Sequence, residues 1–268
     1  KDGITPLTIW YRKDVGDTQE SKRELLKIMP ENLFDTPKST RLILRTLFLS
    51  TTDEDIVLDF FSGSATTAHS VMKLNSEDNG NRKFICVQLP EETKNNDFPT
   101  ICEIGKERIR RAGDKIVEES GKTDLDIGFK VLKLDSSNIK TWDSDYEDLE
   151  QNLLDSVDNI KEDRTNEDLL YEILLKYGLD LTLPIEELNI NDKKVFNIGF
   201  GALMVCLDSD IDTNTVEQIA QLKKQYEEDY GLEDMKVVFK DNGFKDAVAK
   251  TNSLQILKQH NINEVVSI

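Results

Sequence analysis

Residues 57–68, with the sequence VLDFFSGSATTA, decide the fold that we predict for this chain. The apolar run at residues 56–61 is short and bounded by polar residues, which favours a buried parallel strand. The tripeptide SGS at residues 62–64 indicates a tight turn. The spacing of apolar side chains after it predicts a helix over residues 65–74. The stretch is therefore predicted to be a strand–turn–helix unit.

This turn has the features of a ligand-binding position. Small residues let the backbone approach a ligand, and a helix N-terminus offers unpaired N–H groups and the positive end of a dipole. Doubly wound sheets bind their ligands at such turns. The stretch holds one glycine and matches neither GxGxxG nor GxxxxGK[ST]. These residues alone therefore leave two interpretations open, binding of a nucleotide-like ligand and an ordinary strand-to-helix turn.

The flanking sequence extends the unit on both sides. A helix beginning at Ser39 or Thr40 and reaching residue 49 is predicted before the first strand. After the unit come a second buried strand at residues 84–89, a helix at 100–111 that ends near Gly113, and a third strand at 129–134. This order predicts an α/β domain over residues 1–140 that contains a βαβαβ half of a doubly wound parallel sheet.

A change of composition after Trp142 indicates a second domain, predicted at residues 141–268. Residues 143–168 contain eleven acids and two bases, which favours a solvated helical linker or helix pair. The later elements are predicted as a helix at 169–177, a hairpin at 195–207, a helix at 215–230, a strand at 235–239, a helix at 246–260 and a strand at 264–268. The pattern predicts a smaller α/β domain, for which we expect an assembly role.

The composition excludes several functional classes. The chain of 268 residues has 34 basic and 52 acidic side chains, a net charge of −18, whereas free-standing nucleic-acid-binding proteins are usually basic. It lacks an apolar run of about 18 residues, so no transmembrane helix is predicted. The three separated cysteines exclude a disulfide framework and a CxxC metal site, and they suit a reducing cytoplasm. The first residue is Lys1, in a segment typical of the middle of a protein, so we expect a fragment.

Residues 59–67, DFFSGSATT, resemble the D-P-F-x-G-S-G-T-T methyl-donor motif of the amino-group DNA methyltransferases. Phe60 stands in place of the proline, and Ala65 in place of the second glycine. Upstream, residues 34–38 (FDTPK) resemble the motif whose Pro-Lys pair precedes a helix beside the cofactor. Three further segments resemble the modification (Mod) subunits of type III restriction–modification systems, namely residues 79–91, 128–138 and 239–246. The five segments occur in order along nearly the whole chain.

The resemblance implies the C-terminal part of a DNA adenine-N6 methyltransferase. The implied fold is a partial Rossmann-like S-adenosylmethionine-dependent methyltransferase sheet, followed by the smaller α/β domain. In this circularly permuted group the catalytic [DNS]-P-P-[YFW] motif and the target-recognition segment precede the methyl-donor motif. No two of the six prolines are adjacent, so this chain lacks the catalytic motif and no catalytic residue is predicted in it. We therefore expect the chain to be inactive alone.

The resemblance also implies a binding site for the cofactor S-adenosylmethionine. Its methionine end would be surrounded by Phe61, Gly63, Ser64 and Thr66. Asp59 would face the ammonium group of the cofactor. The alternative for Asp59 is structural, because a carboxylate at the end of a strand also caps the following turn.

Two more residues complete the predicted site. Gln88 stands at the end of the second strand, where the family has an acidic residue that meets the ribose. Its amide can still form hydrogen bonds with ribose hydroxyls, and the alternative is a polar strand end without a ligand. Lys38, from the Pro-Lys pair, would lie beside the cofactor, and the alternative is a solvated charge.

The resemblance implies three partners, which are DNA bound through the missing recognition region, the restriction (Res) subunit and a second modification subunit. No membrane partner is expected. Two other functions stay open: a non-catalytic assembly module for subunit dimerisation or Res docking, and an unrelated nucleotide-binding α/β protein. Because DNA affinity comes largely from neutralised phosphates, we expect a chain with a charge of −18 to bind duplex DNA poorly.

Overall fold

The structure, a computed structural model, describes residues 5–140 and 160–268. Most of the acidic run at 143–168, and with it the predicted helical linker, lies outside the described residues. The chain divides into two compact units, Lys1–Phe129 and Lys130–Ile268. The domain boundary expected between residues 140 and 141 stays a prediction.

The first unit places helices against a pair of strands. Its elements are α1 (Arg12–Val15), α2 (Thr18–Ile28), α3 (Thr40–Ser50), β1 (Ile56–Asp59), α4 (Thr66–Asp78), β2 (Lys83–Cys86) and α5 (Ile101–Ser120). β1 and β2 pair in parallel, with Ile56 opposite Lys83 and Asp59 opposite Cys86. The carboxyl ends of the two strands therefore lie side by side, next to the turn that leads into α4.

Local chemistry explains where three of these helices begin. Asp17, Ser39 and Thr100 are the N-cap residues of α2, α3 and α5, and each side chain accepts a hydrogen bond from a backbone N–H of the first turn. Alternate strand residues point to the helical layer, so that Val57 and Phe84 pack against the apolar faces of α3 and α4. The helices thereby hold the strand pair, and with it the turn after β1.

Helix α5 is longer than predicted, because it passes through Gly113 and ends at Ser120. A Cβ at Gly113 would lie 3.0 Å from the Cβ of Ile127. This glycine therefore allows the segment at Ile127 to pack closely on the helix, and it does not end the helix. The helix ends at Gly121, whose φ of +68° is the left-handed conformation of a C-terminal cap.

The third strand predicted at residues 129–134 is wrong, because none of these residues belongs to a strand. Val131 and Leu132 are exposed, and Leu134 is 99% exposed. A buried strand needs a neighbouring strand for its hydrogen bonds and a layer over its side chains, and no described residue forms a strand pair with this segment. The unit is mixed α/β, but its described sheet has two strands and does not form the βαβαβ half.

The second unit contains a five-stranded sheet. Its elements are α6 (Asn166–Lys176), β3 (Ile185–Ile190), β4 (Lys193–Ile198), β5 (Leu203–Cys206), α7 (Thr213–Tyr230), β6 (Lys236–Phe239), a 3₁₀ turn (Asp241–Gly243), α8 (Ala247–Gln259) and β7 (Glu264–Ser267). The strand order is β3-β4-β5-β6-β7, antiparallel from β3 to β5 and parallel from β5 to β7. The pairing of β4 with β5 confirms the predicted hairpin.

Helices cover both faces of this sheet. Met204 of β5 packs with the buried side chains of α7 and α8, and its neighbour Val205 packs with those of α6. Strand β3 was missed by the sequence analysis, because Glu186 and Glu187 interrupt its apolar pattern at the sheet edge. The unit is an α/β domain as predicted, and its predicted smaller size stays a prediction together with the boundary between residues 140 and 141.

Candidate functional site

The turn after β1 is held to the start of α4 by the carboxylate of Asp59. Its Oδ1 accepts a hydrogen bond from the N–H of Phe61 at 3.2 Å, and its Oδ2 accepts one from the hydroxyl of Thr67 at 2.6 Å. Asp59 therefore has the capping role that the sequence analysis weighed as the alternative. Thr67, which was not predicted as a site residue, is the partner that fixes this carboxylate.

A second set of hydrogen bonds joins the turn to the end of β2. The N–H of Gly63 donates to Oε1 of Gln88 at 2.8 Å, and the N–H of Ser62 donates to the carbonyl of Val87 at 3.2 Å. Gly63 has a φ of +52°, a conformation that glycine adopts without strain. The structure thus brings together Gly63 and Gln88, two predicted site residues that are far apart in sequence. The side-chain Nε2 of Gln88 donates a hydrogen bond to the carbonyl of Leu89 at 3.2 Å.

Aromatic surface is available at this turn. The side chain of Phe61 is 78% exposed, and the neighbouring Phe60 is also exposed, with 5.1 Å between the ring centroids. On the inner side, a Cβ on Gly63 would lie 3.4 Å from Cζ of Phe34. The turn is therefore packed from beneath and open at Phe61, where a flat ring offers a surface for an apolar or aromatic group.

Ser64 and Thr66 are buried, and both hydroxyl groups contact a buried arginine. Nη1 of Arg108 donates to Oγ of Ser64 and to Oγ1 of Thr66, at 2.8 Å in each case, and to the carbonyl of Ser64 at 3.1 Å. Arg108 projects from α5 and is 1% exposed. Arg108 was not among the predicted site residues. A signal was present, because Arg108 follows Ile104 and precedes Ala112 at helical spacing on the buried face of α5.

His69 lies in the same buried cluster. Its Nδ1 is 3.5 Å from Nη2 of Arg108, and because guanidinium only donates hydrogen bonds, Nδ1 is the acceptor and the ring is neutral. Burial, followed by the charge of Arg108, lowers the pKa of His69 to about 3. Burial also lowers the pKa of Arg108 to about 10, so this side chain remains a cation at neutral pH.

Lys38 stands apart from this arrangement. It is exposed, follows the buried Pro37 and precedes Ser39, the N-cap of α3. No hydrogen bond or ion pair joins it to the described residues of the chain. Its predicted place beside a cofactor therefore stays a prediction, whereas hydrogen bonds connect the turn residues with Gln88.

The arrangement suits an organic ligand that carries a small charged group. Helix α4 begins at Thr66 after Ala65, whose φ is +57°, and within the described residues no side chain caps this helix N-terminus. Such an end stabilises a negative charge.

No cluster of three His, Cys, Asp or Glu suited to a metal ion occurs in residues 5–140 and 160–268. In the same part of the chain, no helix is both long enough and apolar enough to cross a membrane.

Comparison with known proteins relates the chain to DNA methyltransferases. Residues 1–111 match the family described as DNA methylase. The chain is 40% identical over 139 residues to the type III restriction–modification enzyme StyLTI Mod subunit of Salmonella typhimurium, which covers 50% of this chain and 21% of that protein. It is 30% identical over 239 residues to the EcoP15I Mod subunit of Escherichia coli, covering 86% of this chain and 35% of that protein.

A third relative is named as a methyltransferase of type II. The type II methyltransferase M.KpnI of Klebsiella pneumoniae is 39% identical over 85 residues, 32% of this chain and 20% of that protein. The chain thus spans between about a fifth and a third of the length of these relatives. The comparisons confirm the resemblance to DNA methylases and to type III Mod subunits.

Proposed function

We propose that this chain is the methyl-donor-binding and C-terminal part of a type III DNA adenine-N6 methyltransferase. In this proposal S-adenosylmethionine binds at the carboxyl ends of β1 and β2. One observation carries the proposal: the hydrogen bond from Gly63 to Gln88 joins a glycine turn to the ends of two parallel strands, within the residues that match DNA methylases. Ligands of α/β sheets bind at such ends.

The residues at this turn fit the chemistry of the proposed cofactor. The exposed ring of Phe61 offers an apolar wall, and the absent side chain of Gly63 leaves room for close approach of the backbone. Ser64 and Thr66 face the methionine end in this proposal, and Asp59 faces the ammonium group with its unused acceptor positions. Gln88 binds the ribose, and Lys38 lies nearby.

When bound, S-adenosylmethionine supplies a methyl group activated by a sulfonium ion. The work of this chain is to bind and orient that group, because holding reactants in the right geometry removes much of the barrier to transfer. The adenine would be flipped into a pocket formed by the catalytic motif. The chain has no adjacent prolines, so the motif must come from other residues of the whole protein. The chain alone is then inactive, and the remaining strands of the Rossmann-like sheet come from the same source.

The second unit suggests an additional, non-catalytic function. Its sheet is covered on both faces by helices of the same unit, as expected for a domain with its own core. Two of the relatives are named as Mod subunits of type III restriction–modification enzymes. We therefore propose that this unit serves assembly, with a second modification subunit and the Res subunit as partners, while DNA is bound elsewhere in the whole protein.

Calorimetric titration with S-adenosylmethionine tests the proposal directly. The variant is Gly63→Leu, which puts a side chain on a residue with φ +52° and toward Phe34. The control is Gly121→Leu, where φ is +68° and nothing lies within 4 Å of an added Cβ. Both variants pay a similar backbone cost of roughly 1–2 kcal/mol for the left-handed conformation.

We expect the unaltered chain and Gly121→Leu to bind S-adenosylmethionine with the same affinity. Gly63→Leu is expected to lose at least about tenfold in affinity, equivalent to about 1.4 kcal/mol. Circular dichroism checks that all three proteins are folded. The proposal is overturned if the folded, unaltered chain shows no binding, or if both glycine variants weaken binding equally.

A further inference from the structure

We propose that Arg108 is a positioning residue for the cofactor, which directs the hydroxyl groups of Ser64 and Thr66 toward the carboxylate at its methionine end. This inference rests on the proposed function and deepens it. It gives a role to a buried residue that lies outside the methyl-donor motif.

The charge of Arg108 is buried without an ion pair among the described residues. The side chain is 1% exposed, and its hydrogen-bond partners are the neutral groups of Ser64, Thr66 and His69. The charge of Glu24 raises the pKa of Arg108, but no carboxylate among the described residues forms an ion pair with it, and its Nε has no partner there. A buried charge that no carboxylate contacts is unfavourable, so an anion close to it stabilises the arrangement.

The direction of these hydrogen bonds leaves the hydroxyl hydrogens of Ser64 and Thr66 unused. Guanidinium only donates, so the oxygens of both hydroxyl groups act as acceptors toward Arg108. Each hydroxyl hydrogen remains for a bond to another acceptor. Within residues 5–140 and 160–268, neither the Ser64 nor the Thr66 hydroxyl donates to a protein group. Two buried O–H donors are thus held in place without an acceptor, which favours a ligand with acceptor oxygens.

These two donors lie at the start of α4, next to the positive end of its dipole. Thr66 is the first residue of α4, and the described residues supply no side-chain cap to that helix end. The positive end of the helix dipole and the Arg108 charge therefore act on the same small region. Hydroxyls that accept from a cation become stronger donors. A carboxylate placed there would accept hydrogen bonds from the hydroxyls of Ser64 and Thr66, which the guanidinium of Arg108 polarises.

Arg108 also links α5 to the turn, so a structural role must be separated from a role toward the ligand. Two ligands make this separation possible. S-adenosylhomocysteine carries the amino-acid end, and 5′-methylthioadenosine shares its adenosine and neutral sulfur but lacks the amino acid and its carboxylate. Because the N–H of Gly63 also holds Gln88, which binds the ribose in our proposal, a disturbed turn weakens binding of both ligands. A lost positioning charge weakens binding of the first alone.

The experiment compares the two affinities by calorimetry in the unaltered chain and in Arg108→Met, Arg108→Lys and Arg110→Met. Arg110 is the matched control, because it lies on the same helix with an exposed side chain. We expect Arg108→Met to weaken the affinity for S-adenosylhomocysteine by about tenfold. The affinity for 5′-methylthioadenosine should change by less than about twofold. Arg108→Lys should restore part of the loss, and Arg110→Met should match the unaltered chain.

Several outcomes overturn the inference. An equal loss for both ligands in Arg108→Met shows that Arg108 acts only on the turn, and unchanged binding of both shows that it does not act on the site. If Arg108→Met fails to fold, Thr66→Val provides the test, because it removes one hydroxyl and keeps the arginine. The same selective loss is then expected, and its absence contradicts the inference. Failure of the unaltered chain to bind either ligand instead overturns the proposed function.

Discussion

Asp59 illustrates how one side chain serves the fold and can also serve a ligand. Its two oxygens accept hydrogen bonds from the N–H of Phe61 and the hydroxyl of Thr67. An ionised carboxylate has about four acceptor positions, so these two contacts leave capacity for an ammonium group. The structural and the cofactor-binding interpretations of Asp59 are compatible, and the two contacts hold the carboxylate in one orientation.

His69 allows a prediction about pH at the same scale. Its pKa is lowered to about 3 by burial in the folded chain, whereas an unfolded histidine titrates near 6.5. Between these values the unfolded state binds a proton that the folded state does not, so stability falls as the pH decreases from about 6.5 toward 3. From pH 7 to pH 5 this one group should lower the unfolding free energy by about 2 kcal/mol.

Chemical denaturation of the unaltered chain and of His69→Gln at both pH values measures this contribution. Glutamine keeps an acceptor for Arg108 but does not titrate. Between pH 7 and pH 5, the unfolding free energy of the unaltered chain should fall by about 2 kcal/mol more than that of His69→Gln. His260→Gln is the control, because it replaces the other histidine, in the second unit, and should leave the unfolding of the first unit unchanged. Equal pH dependence in all three proteins would contradict the prediction.

At the scale of elements, α5 decides how closely the layers of the first unit approach. Two of its glycines lie at packing positions. A Cβ on Gly105 would lie 3.4 Å from the carbonyl oxygen of Gly63, an ordinary contact, whereas a Cβ on Gly113 would lie 3.0 Å from the Cβ of Ile127. The same substitution in one helix should therefore have opposite effects at these two positions.

We predict that Gly105→Ala raises the unfolding free energy by about 0.5–1 kcal/mol, because alanine is the better helix former and the space is sufficient. Gly113→Ala improves helix propensity by the same amount, but its Cβ forces the Ile127 backbone to move. We therefore expect the unfolding free energy to fall by about 1 kcal/mol. Urea denaturation of the two variants measures the difference. Equal stabilisation by both substitutions would show that the segment at Ile127 does not pack against α5.

The elements were predicted best where local signals and tertiary packing agree. β1, α4 and β2 occur where short apolar runs and a helical pattern indicated them, because both strands pack on helices of the same unit. Residues 129–134 have a similar apolar pattern but no strand partner, so they form no strand. Residues 185–190 lack the pattern, but they form strand β3 because they pair with β4. Pairing is a property of the fold, so pattern alone could not settle either case.

At the scale of the whole molecule, net charge makes a prediction about DNA. The chain has a charge of −18, and the non-specific affinity of proteins for DNA depends on cations that neutralise phosphates. We expect duplex DNA to bind with a Kd weaker than roughly 10 µM at physiological salt. Fluorescence anisotropy with a labelled duplex measures this affinity. Submicromolar binding would contradict this prediction and show that the chain forms a DNA site despite its overall charge.

The α/β class, the position of the turn and the family resemblance follow from the amino-acid sequence alone, because they depend on local patterns of apolar, small and glycine residues. Which groups meet at the turn depends instead on how the elements pack. Arg108 lies 44 residues after Ser64, and Gln88 lies 25 after Gly63, yet hydrogen bonds join each pair. A charged residue within a helical pattern is usually solvated. Only the packing of α5 beneath the turn removes Arg108 from water and points its guanidinium at two hydroxyl groups.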